Sequence, residues 1–168
     1  MIQLTQKEQE ARRRVCLALD VPTVAEAIAL AGELSDYVGM CKIGKELHTA
    51  ACNKGTPIVK EIFDRKGAVF LDLKFHDTPN TVYGAAKASA VPGVSFFNIH
   101  VGESGENMCK KAVEGAYEGA QVIGIERPKV IGVTVLTSIS DDDLKKEGID
   151  FGYDNLVRRR TELARDGD

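Results

Sequence analysis

The chain has 168 residues, 22 of them Lys or Arg and 25 Asp or Glu, for a formal charge of 22 − 25 = −3. That length holds one domain with a real core, and that charge gives no reason to expect a nucleic acid or other polyanion as partner. No apolar stretch approaches a membrane span, and the polar start from Met1 to Arg14 lacks the apolar segment of a secretion signal.

The local features agree. Arg12-Arg13-Arg14 and Arg158-Arg159-Arg160 read as solvated helix faces, because no aromatic residues interleave with them. The cysteines, Cys16, Cys41, Cys52 and Cys109, form no C-x-x-C pair. Cys16 and Cys41 lie inside apolar runs and are expected to be buried thiols in a reducing compartment. The expectation is a cytoplasmic protein with no membrane partner.

In chain order, residues 1–14 form a polar extension with helical character. Val15 to Asp20 is a compact apolar run ending in an acid. Thr23, with Glu26 three residues on, is a capping-box pattern, and Val24, Ala27, Ile28, Ala31 and Leu34 then recur at helical spacing. Tyr37 to Gly44 is a second apolar run that carries Lys42 late. Helices are expected over about 46–52 and 56–65, with Thr56-Pro57 as N-cap and first helical residue and Gly67 as the stop. The third run starts at Ala68 and is followed by a helix over 81–90. The fourth is Val94 to Val101, followed by a helix over 105–117. The fifth is Val130 to Leu136, ending in Thr137-Ser138-Ile139-Ser140. The acids Asp141, Asp142 and Asp143 suit a helix N-terminus better than a metal site. A last helix covers 153–165.

Strict alternation of strand and helix argues an α/β fold with a parallel sheet. Strand ends fall at Asp20, Lys42, Asp72, His100 and Thr137. Neither G-x-G-x-x-G nor G-x-x-x-x-G-K-[ST] is present, so the usual nucleotide-fold fingerprints are missing. Charged or imidazole groups at successive strand ends suit a (β/α)8 TIM barrel, whose catalytic groups come from several strands at one mouth. Such a barrel takes eight units and about 250 residues, whereas this chain carries five. It reads either as an open doubly wound sheet or as a barrel cut short, with residues 15–168 supplying strands 1–5 and strands 6–8 absent.

The most informative stretch is Phe70-Leu71-Asp72-Leu73-Lys74-Phe75-His76-Asp77, with Pro79-Asn80-Thr81 behind it. On a regular strand Leu71, Leu73 and Phe75 share one face, and Phe70, Asp72 and Lys74 the other. Two charges on one face of a buried strand must be paired or used. The bland reading is a solvated strand edge whose acid and base pair across a pleat. The third charge at Asp77 and the matching strand-end positions of Asp20 and Lys42 favour a functional reading. His100 reads as a core or mouth histidine with a satisfied hydrogen bond. His48 and His76 make no metal set with nearby acids.

These residues resemble orotidine 5′-phosphate decarboxylase. The likeness rests on Leu17-Ala18-Leu19-Asp20, Lys42-Ile43-Gly44, the D-x-K-x-x-D stretch with its Pro79-Asn80-Thr81 tail, Asn98-Ile99-His100 and Gly132 to Ser138. The resemblance implies a (β/α)8 barrel, a homodimer with sites at its interface, and conversion of orotidine 5′-monophosphate to UMP without metal or organic cofactor. It implies that Lys74 donates the proton to pyrimidine C6 and that Asp72 sits beside the departing carboxylate. Lys42 would join the charged network, and Asp20 would bind the ribose. Asp77 and Thr81 would reach into the partner subunit's site. Thr137, Ser138 and Ser140 would lie near the pyrimidine edge. The residue types fit: a fixed cation stabilises the carbanion-like centre that forms as CO2 leaves, then supplies the proton.

Two local departures stand out. Thr78 occupies a place where the family usually has a larger apolar residue, and Gly102-Glu103-Ser104-Gly105 replaces a more glycine-rich turn. The family's phosphate ligands, a Gln and an Arg, lie beyond Asp168, so the isolated chain is expected to bind substrate weakly and to be inactive. Three rivals stay open: a Mg2+-dependent sugar-phosphate decarboxylase sharing D-x-K-x-x-D, a lysine aldolase, and a non-catalytic truncated product.

Overall fold

The computed structural model describes residues 4–65, 67–102 and 105–167. Five strands form one sheet in sequence order: β1 (Cys16–Ala18), β2 (Met40–Gly44), β3 (Ala68–Phe75), β4 (Val94–His100) and β5 (Lys129–Val133). β1 pairs with β2, and β2 with β3, in parallel. Helices α1 (Gln6–Arg13), α2 (Val24–Leu34), α3 (Lys45–Asn53), α4 (Ile58–Phe63), α5 (Pro79–Ser89), α6 (Gly105–Ile123), α7 (Asp141–Lys146) and α8 (Tyr153–Asp166) complete the order. Strands neighbouring in sequence also neighbour in the sheet, which is the order of consecutive strands of a (β/α)8 barrel rather than of a doubly wound sheet, where the order reverses. By backbone proximity the chain divides into two units: residues 1–73 with 91–97, and 74–90 with 98–168.

In the first unit, Leu19, Ala27, Cys41, Ile43, Ala51, Ile62 and Val69 are almost fully buried. Leu19 directly follows β1, and the others come from alternate positions of β2 and β3 and from one stripe each of α2, α3 and α4. Thr23 caps α2 by accepting the Glu26 N–H. Only this half of the expected capping box is recorded. α1 is tied down by Arg12, which donates to the Ser35 carbonyl at 2.7 Å and the Val38 carbonyl at 3.1 Å. Ser35 is the C-cap of α2, so its carbonyl has no partner within that helix.

Several boundaries differ from the sequence reading. Thr56 does not cap α4. Its N–H closes the end of α3 onto the Ala51 carbonyl at 2.9 Å, after Gly55 at φ +65°, and Pro57 takes the N-cap position. α4 ends at Phe63, before Gly67, which packs against Ile62. Pro79 opens α5, because a proline at N1 gives up only a donor that has no helical partner. α6 continues to Ile123, six residues past Tyr117 (123 − 117), before Gly124 at φ +69°. β5 stops at Val133, and Val135 instead joins Leu144 and Leu156 in a small core. Cys16 is exposed rather than buried: on β1 it alternates with Leu17, while the burial falls on Leu19.

In the second unit, Val82 and Ala86 of α5 and Met108, Ala112, Ala116 and Ala120 of α6 are buried. α5 and α6 approach closely because Gly115 and Gly119 present no side chain. A Cβ at either would collide with the carbonyl oxygen of Tyr83 or Lys87. No described helix is long and apolar enough to cross a membrane.

Candidate active site

The parallel register carries three charges to the C-terminal ends of β1, β2 and β3. Ala18 pairs with Lys42, and Gly44 with Asp72, so Lys42 stands diagonally between Asp20 and Asp72. Its ammonium donates to Asp20 Oδ1 at 3.1 Å and lies 3.4 Å from Asp72 Oδ2. The Lys42 and Asp72 side chains are 21% and 15% exposed, while Asp20 is 67% exposed. The inner pair is therefore shielded, and its outer partner faces solvent, where its attraction is screened. Gly44 borders this group, with Asp20 Oδ1 and Lys42 Nζ 3.6 and 3.8 Å from where a Cβ would sit. Cys16 feels both neighbours. Burial pushes its thiol up from the ordinary value, Lys42 opposes that shift, and Asp72 adds to it.

Two residues after Asp72, the regular alternation of β3 breaks. Lys74 has φ +49°, the one positive φ at a non-glycine among the described residues. An L-residue in this conformation costs about 1–2 kcal/mol and persists only where its surroundings fix it. Here the fixing contact is visible: the Lys74 N–H donates to Asn98 Oδ1 at 2.7 Å. Asn98, on β4, is only 3% exposed. The expected shared face of Phe70, Asp72 and Lys74 thus does not follow from a uniform pleat.

Beyond the strand, the His76 and His100 rings lie 5.5 Å apart at a tilt of 54°. Gly102 makes room for them, since a Cβ there would lie 3.1 Å from His76 Nε2. Asp77 Oδ1 accepts the Thr78 N–H at 2.6 Å, and the Thr78 and Thr81 hydroxyls are 3.0 Å apart. Asp77, Thr78 and Thr81 are all exposed at the start of α5. The Glu103-Ser104 part of the turn singled out in the sequence lies outside the described residues.

Thr137 and Ser138 are exposed in the loop between β5 and α7. Ser140 is engaged differently. It caps α7, donating its O–H to Asp143 Oδ2 at 2.6 Å and accepting the Asp143 N–H at 3.2 Å. The Asp143 carboxylate also accepts the Ser140 N–H, completing a capping box. The Ser140 hydroxyl, then Lys146, holds the Asp143 carboxyl below its ordinary value. Asp141 acts at a distance by accepting the Tyr153 N–H at 2.7 Å, where α8 begins with Gly152 and no side-chain cap. The acidic run thus opens α7, as its composition suggested, and through Asp141 it also supports the start of α8.

Sequence reasoning missed Asn98 as part of this site. The signal was a polar amide inside the apolar run from Val94 to Val101, which burial obliges to find a partner. Gly44, Gly102 and Asp141 carried no comparable signal.

Comparisons with known proteins place the chain in a family. The pattern of the Orotidine 5′-phosphate decarboxylase / HUMPS family covers residues 13–167. Orotidine 5′-phosphate decarboxylase of Rhodospirillum rubrum is 43% identical over 168 residues, covering 99% of this chain and 64% of the relative. That of Geobacter metallireducens is 44% identical over 156 residues, covering 93% and 63%. The crystal structure of orotidine 5′-phosphate decarboxylase from Lactobacillus acidophilus superposes with a TM-score of 0.80 at 33% identity, covering 92% of this chain and 67% of that one. The chain spans less than two thirds of the length of the two curated relatives. With strand-end charges on three parallel strands and a family pattern running from residue 13 to residue 167, the chain belongs to the orotidine 5′-phosphate decarboxylase / HUMPS family.

Proposed function

We propose that this site decarboxylates orotidine 5′-monophosphate to UMP. The observation that carries the reading is Lys42 held between Asp20 and Asp72 at the strand ends, with Lys74 two residues further along β3. Loss of CO2 leaves an electron pair on pyrimidine C6. Lys74 stabilises that pair as it forms and then protonates it, so the C–C bond is replaced by C–H. Asp72 lies beside the departing carboxylate, and Lys42 joins the charged network and the ribose contacts. Asp20, the exposed end of the network, takes the ribose hydroxyls. Thr137, Ser138 and Ser140 border the pyrimidine, and Ser140 does so as the residue that shapes its loop. No metal or organic cofactor is needed, because the charges that move are met by fixed side chains.

The active form we propose is a homodimer in which Asp77 and Thr81, exposed at the start of α5, complete the site of the partner subunit. Mixing Lys74→Ala and Asp77→Ala chains tests this. With both substitutions made in full-length versions, activity should return in the mixture and be absent from each variant alone; no return overturns the shared site. A reducing, cytoplasmic setting is the reading that the four free cysteines support.

The central test is release of labelled CO2 from carboxyl-labelled orotidine 5′-monophosphate, together with the NMR signals of methyl-labelled lysines on addition of UMP. In a full-length version that carries the phosphate ligands we expect release that survives EDTA and is lost in Lys74→Ala, and shifts in the Lys42 and Lys74 signals, whereas the 168-residue chain alone should release little or none. Release retained in Lys74→Ala overturns the proton donor. Sensitivity to EDTA favours a Mg2+-dependent sugar-phosphate chemistry instead. Neither release nor response to UMP in the full-length version overturns the reading altogether.

A further inference from the structure

We infer that Asn98 is the positioning residue for Lys74: its side-chain oxygen holds the lysine backbone in the left-handed conformation that sets where the ammonium stands. The inference rests on Lys74 being the working cation of the site, as proposed above.

Three observations converge on this pair. Lys74 is the non-glycine residue whose backbone departs from the ordinary regions, and it does so inside a strand, where neither a turn nor a helix end calls for it. The N–H of this residue is held by a side chain on the neighbouring strand. The partner is the Asn98 amide oxygen at 2.7 Å, and Asn98 is almost wholly buried in an otherwise apolar stretch of β4. A buried primary amide is costly unless it is bonded, and an isolated left-handed lysine is costly unless it is held. Each residue therefore accounts for the other.

A capped backbone N–H could be structural only, and loss of the cap separates the two roles. If Asn98 merely fills the core, a leucine of similar size serves, and the surroundings of Lys74 stay as they were. If it positions Lys74, the acceptor atom matters more than the volume. Asn98→Leu keeps volume and removes the acceptor, whereas Asn98→Asp keeps an oxygen in the same place.

The test uses the full chain and two readouts that do not need turnover. The first is hydrogen exchange of the Lys74 amide. The second is the NMR signal of methyl-labelled Lys74. In Asn98→Leu the amide should exchange about a hundredfold faster and the methyl signal should move, both returning toward the native values in Asn98→Asp. In a full-length version acting on orotidine 5′-monophosphate, kcat should fall about a hundredfold in Asn98→Leu with KM little changed, as misplacement of a reacting group predicts. A third variant covers failure of the leucine chain to fold. In Lys74→Gly, where the left-handed conformation carries no steric penalty, Asn98→Ala should cost at least tenfold less in the unfolding equilibrium than it does beside Lys74. An unmoved amide and methyl signal in Asn98→Leu, or equal cost in both backgrounds, overturns the inference. A full-length version that releases no CO2 refutes the decarboxylase reading, while the exchange, methyl and stability readouts on the 168-residue chain still decide the role of Asn98.

Discussion

Lys42 Nζ lies 3.4 Å from the Asp72 carboxylate, one strand away, and Asp72 keeps only 15% of its side chain in solvent. A carboxylate so placed depends on its cation more than an exposed one does. Lys42→Met should lower stability by about 2 kcal/mol, because Asp72 is left with a poorer set of partners in a shielded place. Asp20→Asn, at the exposed end of the same network, should cost well under about 1 kcal/mol. Urea unfolding of both variants checks the contrast, and equal costs would mean that burial does not govern this network.

The seam between α5 and α6 makes an opposed pair of predictions. Gly115→Ala and Gly119→Ala each put a Cβ into a backbone carbonyl of α5, so each should destabilise by about 1–3 kcal/mol. Gly84, also on α5, is exposed and has nothing within 4 Å of a built Cβ. Gly84→Ala should stabilise by about 0.5–1 kcal/mol through helix propensity alone. Thermal unfolding of the three variants distinguishes a packing limit from a general intolerance of change.

Across the same seam, Tyr83 donates to Glu118 at 2.5 Å, and Lys87 reaches the same oxygen at 3.1 Å. The Tyr83 bond, then Lys87, depresses the Glu118 carboxyl below 4.5, while the Glu118 bond raises Tyr83 above 10.0 and Lys87 above 10.5. The depressed acid contributes stability that is present above its unfolded value and lost as pH falls through the folded one. The raised phenol and amine contribute stability present below their unfolded values and lost as pH rises through the folded ones. This cluster should therefore weaken below about pH 4 and again above about pH 10. In Tyr83→Phe, the carbon NMR titration midpoint of the Glu118 carboxyl should rise; an unmoved midpoint would remove the phenol as its cause.

Ser140→Ala removes both side-chain bonds of the α7 cap and should cost about 1 kcal/mol without any ligand present. The Asp143 midpoint should rise in the same variant, since the Ser140 hydroxyl is the first cause of its depression. Unchanged stability would mean that Ser140 is free to act on a ligand alone.

Thiol labelling separates the cysteines. Cys52 and Cys16 are exposed, and Cys41 and Cys109 are buried. Burial pushes the Cys16 thiol up, so it presents less thiolate. Ellman's reagent on the native chain should modify Cys52 first and Cys16 more slowly, with Cys41 and Cys109 reacting only on unfolding. Mass mapping of partly labelled protein gives the order.

The five strands and the places of Asp20, Lys42 and Asp72 near their ends were legible because strand periodicity and apolar flanks are local properties of sequence, whereas the order of the strands in the sheet was left open between a barrel and a doubly wound sheet until the structure gave it. The α2 cap at Thr23 and the α7 start at Asp141 were legible for the same reason: a helix end selects side chains within three residues of itself. What was not legible depends on partners distant in sequence. Thr56 looked like a cap for the helix after it, yet its backbone closes the helix before it. Lys74 looked like an ordinary strand residue, because nothing within β3 shows that Asn98, 24 residues on, takes its N–H. Cys16 looked buried because an apolar run does not say which of its alternate faces is covered.

The left-handed backbone of Lys74 has a consequence for anyone reshaping this site by selection. A library randomised at position 74 changes main-chain strain and side-chain chemistry together. Glycine, and then asparagine, relieves the strain, so a screen for robust folding would enrich them while discarding the ammonium. Selection for turnover would pull toward lysine at the expense of thermal tolerance. Position 74 is thus a place where durability and catalysis compete within one residue, and gains in one should be sought elsewhere in the chain, at Gly84 for example.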